Sequence, residues 1–196
     1  MKGNFFIPGL KVVLTSAVLV GTVDADQVQI NVTGLAITRT LVGSPDSSIS
    51  SPYYRPINQT GTITLKLHTA GKRICASLGE MRQDIPPEVL AVDDYGRPTK
   101  LKIHLRHWLN CEQRQDNGQE RSLMYTEDVS ITEPDWDSPR DLNGLPCVAS
   151  ITETSTILGG DREWEGASGQ IVSVGTINNC SVNTFTMKGI ITVNKP

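Results

Sequence analysis

The chain has none of the short motifs that announce a reaction. It contains no Gly-x-Ser-x-Gly elbow, no phosphate-binding glycine loop and no His-Glu-x-x-His helix, so the readable signatures of serine hydrolases, P-loop nucleotide binders and zinc proteases are missing. No Cys-x-x-Cys or Cys/His pair stands at ligand spacing; no metal site is assigned, and no cofactor is expected. Basic residues are not concentrated. The formal net charge is −3, which argues against a nucleic-acid partner, because phosphate binding needs a positive face. Lys100, Lys102 and Arg106 make the nearest thing to a cluster, and on one face of a strand they read as a solvated surface. Helical spacing of apolar residues is absent over any long stretch, as are internal repeats and linkers.

One apolar, uncharged run does exist, from Val12 to Val23. Lys2 and Lys11 precede it and Val23-Asp24-Ala25 closes it, the layout of a cleavable secretory signal. It is shorter than the ~20 residues of a membrane span. Residues 1–25 are therefore expected to be a signal peptide and 26–196 a single domain, secreted or periplasmic, with no transmembrane segment in the mature chain. Cleavage removes Phe5 and Phe6 and leaves Phe185 as the sole phenylalanine. Behind an export signal, the four cysteines (Cys75, Cys111, Cys147 and Cys180) predict two disulfides.

Period-two alternation runs through the rest of the chain. Segments 62–68, 101–111 and 183–193 are the clearest strands, with 27–42, 72–78, 123–131, 148–158 and 170–177 beside them. Apolar parity flips at Gly34, which predicts a bulge or bend in 27–42. Ala70-Gly71 and Asp116-Asn117-Gly118 read as hairpin turns. Regions 43–61 and 133–146 read as long loops, the latter carrying Pro134, Trp136, Pro139 and Gly144; loops of this length are often functional. About eight strands fit an all-β antiparallel barrel, or alternatively a two-layer sandwich. A meander over the last three strands sets Cys147 beside Cys180, which leaves Cys75 for Cys111.

The site candidates follow from strand parity. His104 and His107 are separated by three, so in a strand they face opposite ways. His107 shares the face of Leu101, Ile103, Leu105 and Leu109, and is expected to point inward. Glu127 goes with Leu123, Tyr125, Val129 and Ile131, and Glu153 with Ala149, Ile151 and Ile157. Charges facing a core are paired, at a strand end or lining a cavity. His107, Glu127 and Glu153 are thus the candidate catalytic groups, as acid and base, and Tyr125 with His107 the candidate ligand contacts. All of these assignments turn over with a one-residue change of register.

Gly159-Gly160-Asp161-Arg162-Glu163-Trp164-Glu165-Gly166-Ala167-Ser168-Gly169 joins two of these strands, and the chain closes on Gly189-Ile190-Ile191-Thr192-Val193. This glycine-rich connection, with its aromatic and its Gly-Ala-x-Gly ending, resembles that of the allene oxide cyclase and dirigent-like β-barrels, over roughly the last quarter of the chain. The resemblance implies an eight-stranded antiparallel barrel, often secreted and oligomeric, that binds a small, largely apolar molecule. It also implies an isomerase or cyclase-like enzyme as a second expectation, with His107, Glu127 or Glu153 as its candidates, but it assigns no catalytic residue, because residues 26–147 carry no motif of that family. A non-catalytic surface interaction or adhesion domain, with the two long loops making the contacts, is the competing reading.

Overall fold

The computed structural model describes residues 27–42, 57–68, 71–82, 84–115, 118–142 and 144–194. The expected signal segment and the loop portion 43–56 lie outside them. Nine strands follow one another: β1 (Gln27–Val42), β2 (Ile57–Leu67), β3 (Gly71–Met81), β4 (Glu88–Val92), β5 (Pro98–Gln115), β6 (Gly118–Pro134), β7 (Val148–Gly160), β8 (Ser168–Asn178) and β9 (Asn183–Asn194). Every pairing is antiparallel. The ladder runs β3-β2-β1-β9-β8-β7-β6-β5, and β3 pairs with β5 to close it. The protein is therefore an eight-stranded antiparallel barrel, not a sandwich. Closure pairs the eight barrel strands with one another and leaves, among the described residues, only the short β4 as a sheet edge, limiting the edges that would otherwise template aggregation.

β4 is the additional strand, paired only with the start of β5 and exposed along its length. It lies between β3 and β5 in the chain, and the turn after it is fixed by Asp93, which accepts hydrogen bonds from the backbone N–H of Tyr95 and Arg97. Among the described residues no helix is long and apolar enough to cross a membrane.

One expectation about register needs correction. β1 pairs without interruption through Gly34, both with β2 and with β9, so it has no bulge. The parity flip has another cause: Ala36, Thr38 and Thr40 face inward while Leu35, Ile37 and Leu41 are exposed outside. The irregularity instead lies between β6 and β7, where the register slips past Leu158, beside Gly159 at φ 114°. A positive φ of that kind is a glycine conformation.

The barrel interior has three levels. Its lower end is dry, packed with Ile30, Val32, Leu65, Leu67, Leu109, Met124 and Ile191. The glycine-rich connection forms a single 3-10 turn, Arg162–Trp164. Trp164, 1% exposed, plugs this end from below. Arg73 binds Glu163 through Nε and Nη2, at 3.0 and 2.7 Å, fastening the plug to β3. Above this lies a polar middle level, and above that an open upper end.

The two disulfides join Cys75 to Cys111 and Cys147 to Cys180, as the cysteine positions predicted. The first lies directly across the closing β3–β5 seam. The second ties the 133–146 segment to the β8–β9 turn. Both fit a compartment more oxidising than the cytosol.

Candidate functional site

The middle level is built by three strands climbing in diagonal steps. His107 on β5 is opposite Thr126 on β6, and Asp128, two residues further along β6, is opposite Ser155 on β7. Glu153 is displaced by the same two residues along β7. Barrel strands tilt, so these diagonal neighbours stand at one height and their side chains converge.

His107 Nδ1–H donates to Asp128 Oδ2 at 2.8 Å, and Thr126 Oγ1 donates to the same oxygen at 3.0 Å. Asp128 is 2% exposed and His107 8%. Gln59 on β2 is opposite Gly79 on β3, which is opposite His107. A Cβ on Gly79 would fall 2.2 Å from His107 Nε2; only glycine leaves room for the imidazole to reach across β3. Through that gap Nε2 approaches Gln59 Oε1 at 3.4 Å.

Both ring nitrogens thus face oxygen acceptors, an arrangement that suits the imidazolium. Burial alone would lower the pKa of His107. The charge of Asp128 and its hydrogen bond outweigh that and raise it to about 9. Glu153, half-buried, responds in the usual sense of a carboxyl withdrawn from water: desolvation raises its pKa to about 7, with His107 pulling it down and Asp128 pushing it up.

Around this group is a small cavity of about 30 Å³, lined by Gln59, Ser77, His107, Thr126, Glu153, Ser173 and apolar neighbours. Above it opens the second and larger space, about 110 Å³. Its walls are Leu101, Ile103, Leu105, Ala149, Ile151 and Ile177, with Ser130 and Thr132 low on one side. Gln59 borders both cavities and is the partition between them.

The 133–146 segment supplies the rim. Trp136, Leu145 and Pro146 line the mouth of the cup. Trp136 Nε1–H donates to the Pro98 carbonyl at 2.7 Å, and the guanidinium groups of Arg97 and Arg140 lie over its ring, 5.1 and 4.7 Å from the centroid. Asp141 Oδ1 accepts from the Leu145 N–H, and the Cys147 N–H donates to the Pro139 carbonyl. These bonds, with the adjoining Cys147–Cys180 disulfide, tie the described residues of the segment to the barrel.

The site thus brings together His107 and Glu153, but not Glu127 or Tyr125. Both of these face outward, contrary to expectation. Glu127 lies beside Arg82 at 2.8 Å and Arg106 at 3.6 Å on the outer surface, and Tyr125 is 36% exposed. The inward face of β6 is Met124, Thr126, Asp128, Ser130 and Thr132. Its apolar residues sit outside because the interior at this height is polar, which inverts the phase of the strand while keeping its period. The groups parity missed are Asp128 and Gln59. The outer cations Lys100 and Lys102 are paired with Glu133 and Glu88.

The fold and site together define a closed β-barrel with a buried polar level beneath an apolar cup. Comparison with protein-family models, curated proteins and solved structures finds no match.

Proposed function

We propose that this is an exported barrel that holds a small, largely apolar molecule in the cup at its upper end. The observation that carries the reading is the cup itself: an apolar wall drawn from β5, β7 and β8, a pinned aromatic rim, and a few hydroxyl and amide groups at its base. Apolar walls with a small number of placed polar groups are the usual composition of a ligand site. At about 110 Å³ it is comparable to the roughly 150 Å³ apolar cavity that takes up benzene. This points to a compact ring or short chain, with one polar group directed at Ser130, Thr132 or Gln59. The export run at 12–23 and the dirigent/cyclase-like character of the 159–169 connection support the same reading.

Native mass spectrometry of the protein purified from its source is expected to show a retained adduct. A matching ligand at a hundred times its Kd adds about 2.7 kcal/mol to stability, a rise in Tm of roughly 5–10 °C at this size. Ala149→Trp, which fills the cup, should abolish both adduct and shift. An absent adduct and a flat thermal response across a panel of apolar compounds would remove the proposal.

A second reading, a surface interaction domain or homo-oligomer, is favoured by a separate observation. Leu35, Ile37, Val172, Val174 and Ile190 are exposed on the outer faces of β1, β8 and β9.

A further inference from the structure

We propose that His107, Asp128 and Glu153 form a binding site for one divalent first-row transition-metal ion inside the barrel, below the cup. Each residue offers one ligand atom, and these atoms all lie within 4.8 Å of one another. The spacing of His107 Nδ1 and Asp128 Oδ2, 2.8 Å, matches adjacent ligands about 90° apart on an octahedral ion with metal–ligand bonds of about 2.0–2.2 Å; a tetrahedral ion would spread them to about 3.4 Å.

A second observation points the same way. Asp128 Oδ1, Ser77 Oγ and Ser173 Oγ are buried and make no hydrogen bond among the described residues. The three residues are 2%, 6% and 3% exposed. Ser77 and Ser173 line the same cavity as His107 and Glu153. Buried polar atoms left unsatisfied are costly. An ion with its remaining waters would engage all three.

Size separates this reading from acid–base catalysis on an organic substrate. About 30 Å³ admits an ion and one or two waters, but no carbon skeleton. Charge agrees as well. Two carboxylates and a neutral imidazole balance a dication, so the buried group is neutral with the ion as it is with two protons. The donor set of one imidazole nitrogen and two carboxylate oxygens suits Zn²⁺, Fe²⁺, Co²⁺ or Mn²⁺. Gln59 Oε1, 3.4 Å from Nε2, takes the place of the outer acceptor that orients a metal-bound histidine. All three ligands stand on barrel strands, which hold such a set more firmly than loops do.

The test uses the intact protein, stripped with EDTA and titrated with Co²⁺. One equivalent should bind, with a visible d–d absorption band that Zn²⁺ displaces. Glu153→Gln keeps the shape and removes the charge, and should weaken binding at least ~tenfold. Glu127→Gln, on the outer surface, should bind as the wild type does. Paramagnetic shifts in the wild-type NMR spectrum provide a readout that needs no variant, and should be largest at Gly79, Thr126 and Ser173. No retention at millimolar Co²⁺, undiminished binding by folded Glu153→Gln, or the largest shifts at outer carboxylates such as Asp84 and Glu88 would each overturn the proposal.

Discussion

Asp128→Ala is expected to cost about 3–5 kcal/mol near pH 6, the range for stripping one partner from a buried ion pair. In EDTA-treated protein this should appear as a fall in Tm of roughly 10 °C. The loss comes from what remains behind. His107 keeps its buried position without its counter-ion, and the Thr126 hydroxyl loses its acceptor. Glu153 is close enough to ionise in place of Asp128, so Asp128→Ala/Glu153→Gln should lose more than Asp128→Ala alone.

The pH dependence follows from the direction of the two shifts. In the native state His107 holds its proton up to about 9, against ~6.5 when unfolded. Its stabilisation is complete below the unfolded value and disappears as pH rises through 9. Glu153 likewise holds its proton up to about 7, against ~4.3 unfolded, so its contribution disappears as pH rises through 7. The native state binds more protons than the unfolded one across this range. Wild-type stability should therefore decline from pH 5 to pH 9, and the deficit of Asp128→Ala should shrink as pH rises. Urea titrations at pH 5, 7 and 9 measure both trends. Wild-type stability that climbs between pH 5 and 7, or an Asp128→Ala deficit that does not change with pH, would contradict a charged His107–Asp128 pair.

Removing the Cys75–Cys111 bridge should have an effect of similar size for a different reason. The bridge spans 36 residues, and closing a loop of that length takes about 4 kcal/mol of conformational freedom from the unfolded chain. It also sits on one of the two seams that sequence-neighbouring strands do not form, the other being β1–β9: β3 meets β5 with β4 intervening in the chain. Cys75→Ala/Cys111→Ala should therefore lower the unfolding midpoint in guanidinium and raise hydrogen exchange along β3 and the facing half of β5. Both cysteines are 0% exposed, so a mild reductant acting on the folded protein should leave this bridge intact. Exchange that instead rises evenly over the barrel would show that the seam is not its weakest line.

Much of this architecture is legible in the sequence, and the failures have a common cause. The eight barrel strands are readable from alternation, and the Cys147–Cys180 bridge from the order of the last three strands; β4, short and exposed along its length, is not. His107 and Glu153 were correctly placed inward because Leu105, Leu109, Ile151 and Ile157 share their faces and are buried. β6 failed because the rule assumes that the apolar side is the inner side. Here the interior changes character along its axis, from Met124 at the dry end to Thr126, Asp128, Ser130 and Thr132 above it, while Tyr125 and Val129 face out. Small hydroxyl residues at alternate positions in 126–132 were the available signal, since they match the inward Ser77, Ser155 and Ser173 of other strands. Gln59 was hidden differently. It lies at the start of β2, in a stretch whose turn-rich composition reads as loop, and its role depends on Gly79 opposite it. No local pattern encodes that three-strand alignment.

The outer apolar residues matter for the same reason. A protein that places leucine, isoleucine and valine outside and hydroxyls inside has two candidate surfaces for an apolar partner. The most direct test of the account is a methyl NMR titration with the adduct recovered from native protein, or with the apolar compound that gives the largest thermal shift. The account predicts chemical-shift changes at Ile103, Leu105, Leu145, Ile151 and Ile177, the methyls of the cup, with Leu35, Ile37, Val172 and Val174 unmoved. Changes confined to those outer methyls would contradict it, and would make the barrel a scaffold for a surface instead of a container.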